Sequence, residues 1–312
     1  MSRRARRGPA RDDGRVKIVV TGASGLIGTA LVTRLHSAGH DVVRLVRRAP
    51  RAADEVTWDP ERGTVDLEGL AGVEGAVHLA GAGVGDHRWT DEYKQRIRDS
   101  RVLGTRTLVS ALTRLDPLPR VLVSGSAVGY YGSRGDEVLT EAATSGEGFL
   151  AEVVRAWEAE TAPAAAAGIR VVHARTGLVM SPSGGAFGRL LPLLKLGVAG
   201  PLGNGRQWWP WITLEDEVSA LEFLLEKDVE GPVNLSAPNP ERQGALTKAL
   251  GRAFRRPALL PAPAVALRVT LGEFAADALA SQRMVPKALL DAGFSFRHPD
   301  VDSAAEWLRA QS

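Results

Sequence analysis

The stretch VKIVVTGASGLIG, residues 16–28, decides the fold of this 312-residue chain. Residues 16–20 form a β-branched run that is typical of a buried strand. From Leu26 onward, apolar residues recur at intervals of three and four and stop at Gly39, which predicts an amphipathic helix with a glycine C-cap. Three glycines join the strand to the helix: Gly22, Gly25 and Gly28.

This glycine turn has the composition and the position of a dinucleotide-binding loop. Gly22 permits a tight turn, Gly25 lets the backbone approach a pyrophosphate, and Gly28 allows the helix to pack closely on the strand. The first N–H groups of the helix and the positive end of its dipole then face the phosphates. The predicted cofactor contacts are Thr21, Gly22, Ser24, Gly25, Leu26, Ile27 and Gly28. The alternative is a glycine-rich turn that binds nothing.

The end of the second predicted strand, residues 41–46, indicates which dinucleotide binds. A chain that binds NAD usually carries Asp or Glu near this point, where the carboxylate accepts a hydrogen bond from the ribose 2′-hydroxyl. Here the strand is followed by Arg47 and Arg48, and a guanidinium can clamp a 2′-phosphate with two hydrogen bonds. The sequence therefore predicts NADP(H), with Arg47 as the main determinant. The alternative is that both arginines are solvated loop residues.

Strand-like and helix-like segments alternate from residue 16 to about residue 236. Further strands are predicted at residues 76–80, 121–124, 169–174 and 233–235, and helices near 90–112, 147–167 and 215–227. We therefore expect an α/β fold, a Rossmann-type doubly wound parallel sheet with a smaller, mostly helical C-terminal lobe. The predicted divisions are a disordered basic tail (1–15), an NADP-binding Rossmann domain (16–180, with strand and helix returns near 207–236) and a smaller substrate-binding lobe (181–312).

Composition and charge exclude several classes of protein. The chain has no cysteine, only six histidines and no HExxH motif, so we expect no metal site. Its net charge is +3, but residues 1–15 hold six arginines against two aspartates, so the rest is nearly neutral and no nucleic-acid partner is expected. No apolar run reaches the roughly 18 residues of a membrane span. A cytoplasmic protein with a small-molecule substrate is the expectation, and the sequence does not indicate an oligomeric state.

Several motifs together resemble the short-chain dehydrogenase/reductase superfamily, in its extended, epimerase-like branch. The glycine turn fits, as do the segments His78–Gly83 and Ser124–Gly132. The stretches around Asp99–Arg101, Gly203–Trp208 and Trp211–Ile212 are similar to the atypical epimerase family proteins of the YfcH type, and residues 286–296 resemble that group's extra C-terminal domain. The resemblance implies that further residues line the cofactor: Leu79, Ala80, Gly81 and Ser124. It also implies that Ser126 is the catalytic serine.

The chain departs from this superfamily where the resemblance implies a catalytic Tyr and a Lys four residues later. Phe149 and Val153 occupy those two positions, so the usual proton-transfer pair is absent. Tyr131 follows Ser126 closely and is the candidate replacement proton donor. The alternative is that Tyr131 only packs in the interior or shapes the pocket.

Arginine and tryptophan side chains in loop-like stretches are the candidate substrate contacts, since guanidinium and aromatic faces suit a sugar or nucleotide. These residues are Arg88, Arg101, Arg206 and Trp208. The alternatives are solvated helix charges for Arg101 and an interface between lobes for the tryptophans. The sequence thus indicates an NADP(H)-dependent oxidoreductase or epimerase-like enzyme that acts on a sugar-like or nucleotide-linked small molecule. The alternative function is an NADPH-binding sensor or interaction protein without turnover.

Overall fold

The computed structural model describes residues 15–312. The predicted disordered tail therefore lies outside the described residues except for its last member, Arg15, whose guanidinium pairs with Asp41 at 2.5 Å. Within residues 15–312 no helix has the length and apolar character needed to cross a bilayer.

Strands and helices alternate along the chain, close to the predicted segments. The strands are β1 (Lys17–Thr21), β2 (Asp41–Val46), β3 (Glu55–Asp59), β4 (Thr64–Val65), β5 (Gly75–His78), β6 (Val121–Ala127), β7 (Val138–Leu139), β8 (Arg170–Thr176), β9 (Leu178–Met180), β10 (Trp208–Trp209), β11 (Trp211–Thr213), β12 (Gly231–Leu235), β13 (Glu241–Arg242) and β14 (Arg283–Met284). The helices are α1 (Leu26–Ser37), α2 (Asp91–Leu112), α3 (Phe149–Ala159), α4 (Ala162–Ala166), α5 (Gly185–Lys195), α6 (Leu214–Glu226), α7 (Gln243–Phe254), α8 (Ala264–Leu271), α9 (Ala275–Ala278), α10 (Lys287–Asp291) and α11 (Val301–Ala310). Short 3-10 turns cover Glu68–Leu70, Val128–Tyr131 and Gly272–Phe274.

Eight strands form one sheet in the order β12-β8-β6-β5-β1-β2-β3-β4, and all neighbours are parallel except the β3–β4 pair. Successive residues of β1 pack on opposite faces of the sheet: Ile18 and Val20 join the core under α1 and α6, and Val19 joins the core under α2. The chain leaves β1 for β2 on one side and later returns to β5 on the other. The expected Rossmann-type doubly wound fold is therefore confirmed, and its parallel strands bring their carboxyl ends to one edge.

A third apolar core holds the C-terminal region together. It contains Phe187 of α5, the buried Trp209 and Trp211, and the inner faces of α7 and α11. This region also contacts the main sheet, because the α10 residue Leu289 packs into the sheet core. In addition, β14 pairs with β7 in a separate two-stranded sheet. The edge strand β12 also comes from beyond residue 180. The C-terminal residues are therefore placed against the carboxyl edge, where the candidate site lies.

Candidate cofactor and active site

The glycine turn between β1 and α1 is packed so closely that side chains are excluded from it. Gly22 has a φ of +69°, and a Cβ there would stand 2.7 Å from the carbonyl carbon of Leu79. A Cβ on Gly28 would stand 2.1 Å from the main-chain oxygen of Gly22. The turn therefore lies directly on residues 79–80, which follow β5, and both glycines are required by the close packing.

The start of α1 has no side chain over its backbone donors. Gly25 is the N-cap, with φ −79° and ψ 175°, and no side chain caps the helix. Ser24 and Gly25 are exposed, and a Cβ on Gly25 would meet only the Gly22 oxygen, at 3.3 Å. A ligand can therefore approach the first N–H groups of the helix, which is the arrangement that a diphosphate requires. The geometry of the turn fits a dinucleotide.

The Thr21 side chain binds the segment that packs against the glycine turn. Its hydroxyl oxygen accepts hydrogen bonds from the N–H groups of Leu79 (3.1 Å) and Ala80 (3.2 Å) and lies 2.7 Å from His78 Nδ1. Burial, with a contribution from nearby Arg101, lowers the pKa of His78 to about 3, so the ring is neutral. Because the Leu79 and Ala80 N–H groups occupy both lone pairs of the Thr21 oxygen, the hydroxyl proton is left for His78 Nδ1, which accepts it. Thr21 and His78 are fully buried, so their part is to hold residues 79–80 against the glycine turn.

The two arginines after β2 have different surroundings. Arg48 donates to both oxygens of Glu55, at 2.8 and 2.7 Å. This contact, helped by the Arg51 N–H, lowers the pKa of Glu55 to about 2, so the pair is charged. Arg47 is exposed and makes no hydrogen bond or ion pair with any described residue. Of the two predicted determinants, Arg47 thus has its guanidinium available to a ligand, whereas Arg48 is held by a carboxylate.

Ser126, near the carboxyl end of β6, is bound to a buried ion pair. Its hydroxyl donates to Glu158 Oε1 at 2.6 Å. Arg175 of β8 donates to both oxygens of the same carboxylate, each at 2.9 Å. Burial opposes the charge of Arg175, but the hydrogen bonds with Glu158 raise its pKa overall. The one proton of the Ser126 hydroxyl is therefore directed at Glu158, and its lone pairs remain as acceptors.

Tyr131 lies inside the same polar network. It is 0% exposed, and its hydroxyl donates to Asn234 Oδ1 at 2.7 Å and accepts from Arg175 at 3.0 Å. Burial raises its pKa, although the Arg175 charge works in the opposite direction. The Arg175 guanidinium also stacks 3.4 Å from the centre of the Tyr130 ring. These contacts favour the interpretation in which Tyr131 packs in the interior rather than donating a proton to a substrate.

An apolar cluster surrounds the first turn of α3, where the resemblance implies a Tyr and a Lys. Phe149 packs edge-on against Trp89 at 5.0 Å between ring centres, and Trp89 also contacts Phe274 of the C-terminal region. Val153 is 2% exposed in the same cluster. Lys94 lies over the Phe149 ring but pairs with Glu273 at 3.1 Å.

The four predicted substrate contacts are spread over three places. Trp208 lies between the guanidinium groups of Arg242 (4.6 Å) and Arg283 (4.7 Å), and its indole N–H donates to Asp136. Arg206 is an exposed neighbour in this cluster, since its main-chain oxygen accepts a hydrogen bond from Arg242.

The other two arginines contact different segments. Arg88 lies against Gly272, and a Cβ on Gly272 would be 2.9 Å from the Arg88 Nε. Arg101 lies beside Gly81, where a Cβ would be 3.3 Å from its Cζ. Ser124, a predicted cofactor contact, is 0% exposed and donates weakly to the Gly125 oxygen at 3.3 Å.

Sequence reasoning did not single out Glu158, Arg175 or Asn234, which hold Ser126 and Tyr131 in place. One signal was available. Arg175 directly follows the strand predicted at residues 169–174, and a charge at the end of a buried strand needs a partner. The identity of that partner depends on how α3 packs beside the sheet, which the local pattern does not reveal.

Two surface cavities lie away from the carboxyl edge. One, of about 240 Å³, is lined by the first residues of β5 and β6, Gly75 and Val121. The other, of about 680 Å³, lies beside α4 and the start of β8. In open parallel sheets, ligands bind at the carboxyl ends of the strands, so the glycine turn rather than either cavity is the candidate site.

Comparison with known proteins gives matches along almost the whole chain. A family model described as "NAD dependent epimerase/dehydratase family" matches residues 18–236, and one described as "Domain of unknown function (DUF1731)" matches residues 262–308. The chain is 45% identical over 289 residues to Epimerase family protein Mb2239 of Mycobacterium bovis, covering 92% of this chain and 95% of the relative. It is 36% identical to the chloroplastic Epimerase family protein SDR39U1 homolog of Arabidopsis thaliana, covering 94% and 86% of the two chains.

Among solved structures, the human epimerase family protein SDR39U1 (isoform 2), a structure with NADPH, is similar with a TM-score of 0.87 and 29% identity. The match covers 95% of this chain and 99% of the human chain. A UDP-N-acetylglucosamine 4-epimerase from Bacillus cereus shares the fold at 18% identity, with a TM-score of 0.74 over 95% and 98% of the two chains.

Proposed function

Because the chain belongs to the NAD-dependent epimerase/dehydratase family, we propose that it binds NADP(H) at the glycine turn. It would then act as an oxidoreductase or epimerase-like enzyme on a sugar-like or nucleotide-linked small molecule. The observation that carries the cofactor proposal is the pairing after β2, where Arg48 is bound by Glu55 and Arg47 is left without a partner among the described residues. When bound, the nicotinamide supplies or accepts a hydride.

The choice of NADP(H) over NAD(H) rests on charge at one position. A carboxylate after β2 would repel a 2′-phosphate, whereas an unpaired guanidinium attracts it and offers two parallel donors. The diphosphate would lie over Gly25 and the bare start of α1, where no side chain competes for the backbone donors. The human relative whose structure is described with NADPH supports the same choice.

Ser126 is the residue proposed to touch the substrate. Since its proton is directed at Glu158, Ser126 would accept a hydrogen bond from a substrate hydroxyl rather than donate to a substrate carbonyl. Glu158 and Arg175 act through Ser126 and are positioning residues. The proposed substrate therefore presents a hydroxyl donor to this edge of the sheet.

A second function is favoured by the apolar surroundings of α3. Phe149 and Val153, at the positions where the resemblance implies a Tyr and a Lys, supply no proton donor, and Tyr131 is buried. A protein that binds NADPH without turnover, as a sensor or an interaction partner, agrees with these residues.

One assay separates the two functions. NADPH-loaded protein is mixed with panels of carbonyl compounds and sugar nucleotides, and the absorbance of the reduced nicotinamide is followed. Product analysis accompanies it, because an epimerase shows no net oxidation of the cofactor. Turnover that falls strongly in Ser126→Ala supports the enzyme. Tight NADPH binding with no product from either panel supports the binding protein.

A further inference from the structure

Arg101 of α2 is a cation with no carboxylate partner among residues 15–312. One of its terminal nitrogens, Nη1, donates to the main-chain oxygens of Ala82 at 2.9 Å and Ile97 at 3.0 Å. Its guanidinium carbon lies 5.2 Å from the centre of the Trp157 ring. The Nε and Nη2 groups bond to no described residue, and neither is fully buried. Two directional donor groups are therefore available to a ligand.

Three other arginines show how guanidinium groups of this protein are held by protein oxygens. Arg175 holds Glu158 through two nitrogens, and Arg48 does the same with Glu55. Arg170, which also lacks a carboxylate partner, uses both terminal nitrogens to bind the oxygens of Leu224, Leu225 and Val229 at the end of α6. A structural role explains Arg170, but it leaves the spare donors of Arg101 unexplained.

The position of Arg101 connects it with the candidate cofactor site. It contacts Gly81, which is exposed and has no side chain to cover the guanidinium. Gly81 continues the segment whose first residues, Leu79 and Ala80, pack against Gly22 of the glycine turn. Arg101 thus stands beside the cofactor-lining segment, on the side of α2 and α3.

The electrostatic surroundings favour an anion at this place. Burial lowers the pKa of Arg101 to about 10, so the side chain is still charged at neutral pH. Its neighbour His78 is neutral and adds no second positive charge, and an imidazole cannot act as a counter-ion in either protonation state. A partly desolvated cation without a counter-ion is costly, and a charge-assisted hydrogen bond from a bound anion would relieve that cost.

We propose that Arg101 is an anion-recognition group of the cleft, and that it binds a carboxylate or phosphate oxygen of the substrate. This deepens the proposed function and rests on it, because the cleft must hold the cofactor for a substrate to lie beside it. The cofactor's own charges have other partners, the diphosphate at the start of α1 and the 2′-phosphate at Arg47. The substrate is therefore an acid or a phosphate ester that also carries a hydroxyl for Ser126.

Calorimetric titration tests this assignment with inorganic phosphate and with acetate as probes. The proteins are the wild type, Arg101→Gln and Arg98→Gln, all saturated with NADPH. Arg98 is an exposed arginine of the same helix and controls for net charge. We expect the wild type and Arg98→Gln to bind a probe equally, Arg101→Gln to bind it at least about tenfold more weakly, and NADPH affinity to be the same in all three.

Other results would overturn the assignment in distinguishable ways. If NADPH affinity falls in Arg101→Gln and phosphate competes with NADPH, the anion is the cofactor's diphosphate and not the substrate. If the wild type binds neither probe, or Arg101→Gln binds both unchanged, Arg101 has only a structural part. An absence of NADPH binding in the wild type is a failure of the proposed function, and it is recorded before any probe is added.

A second measurement covers the case in which Arg101→Gln does not fold. The Nε–H resonance of Arg101 is followed by NMR in arginine-labelled wild-type protein, with Arg101→Lys used for its assignment. A shift that saturates with added phosphate supports the proposal. A resonance that does not move, while NADPH still shifts the Arg47 signal, contradicts it.

Discussion

The Ser126 hydroxyl donates a 2.6 Å hydrogen bond to Glu158, a carboxylate that Arg175 holds at 2.9 Å through two nitrogens. This contact fixes the direction of the Ser126 hydroxyl proton. The resemblance to the superfamily implies that Ser126 is catalytic. The network continues from Arg175 to the buried Tyr131 and on to Asn234 of β12. The end of β6 is therefore held rigidly by charges from α3 and β8.

Replacement of Glu158 tests whether the buried Arg175–Glu158 pair stabilises the protein more than an exposed ion pair does. Glu158→Ala leaves the buried Arg175 without its partner, so we expect the free energy of unfolding to fall by about 3–5 kcal/mol. Glu160→Ala is the matched control, because it removes a similar two-nitrogen contact with the exposed Arg106, and it should cost less than about 1 kcal/mol. Urea denaturation measures both. Equal losses would show that the Arg175–Glu158 pair does not hold the site.

Arg47→Gln tests the determinant of the 2′-phosphate. We expect NADPH to bind more weakly by about 1.5–3 kcal/mol, roughly 10- to 100-fold, because a charge-assisted contact is lost. NADH affinity should not change, since NADH has no phosphate there. Arg51→Gln, another exposed arginine on the same connection, should leave both affinities as they are. A parallel fall for both coenzymes in Arg47→Gln would contradict the assignment.

The glycine turn offers two substitutions with opposite consequences. Gly25→Ala has an ordinary φ and a single tight contact, 3.3 Å from its methyl carbon to the Gly22 oxygen, so the protein should fold with a loss of roughly 1 kcal/mol. Its NADPH affinity should fall at least about tenfold, because the methyl group occupies the approach of the diphosphate. Gly22→Ala should instead destabilise the fold by more than about 2 kcal/mol, since φ is +69° and the Leu79 backbone is in the way. Thermal melting measures the stability of the two variants, and calorimetry measures their NADPH affinity. Unchanged NADPH binding in a folded Gly25→Ala variant would contradict the proposal that the diphosphate binds at the glycine turn.

Glu217 gives the protein a characteristic pH dependence. Burial raises its pKa to about 8, although a hydrogen bond from Thr176 works against the shift. In the unfolded chain the pKa of a Glu side chain is about 4.3. Between about pH 4.3 and pH 8, Glu217 therefore keeps its proton in the folded state and loses it in the unfolded state. Stability should therefore fall as pH rises through this window, by up to about 1.4 kcal/mol per pH unit.

Glu217→Gln removes that contribution. We expect the free energy of unfolding of the wild type to fall relative to that of Glu217→Gln when the pH is raised from 5.5 to 7.5. Glu226→Gln, an exposed carboxylate of the same helix, should keep the wild-type slope. A constant difference between wild type and Glu217→Gln at the two pH values would mean that Glu217 ionises normally in the folded protein.

The parts of the molecule that depend on local sequence were predictable. Alternation of apolar runs with helical periodicity indicated the doubly wound sheet, and β2 has the predicted bounds of 41–46. The glycine turn could be recognised because its requirements, a positive φ at Gly22 and close packing at Gly28, are imposed within eight residues. Arg47 was singled out from its place at the end of a strand, and its part in cofactor binding stays a prediction.

The proton-transfer region could not be predicted in the same way. Whether Tyr131 faces a substrate or the interior depends on Arg175 and Asn234, which lie 44 and 103 residues further along the chain. The contact between Trp89 and Phe274 likewise joins residues far apart in sequence. Tertiary packing determines these contacts, and the hydrophobic pattern of the sequence does not predict which charged group will bind which hydroxyl.

We propose that the bare start of α1 and Arg47, which has no partner among residues 15–312, together select a phosphorylated dinucleotide. Side-by-side calorimetric titration of the wild-type protein with NADPH and NADH tests it most directly. We expect a binding isotherm for NADPH with an affinity at least about tenfold above that for NADH. Heat from neither coenzyme, or an equal or tighter isotherm for NADH, would contradict it.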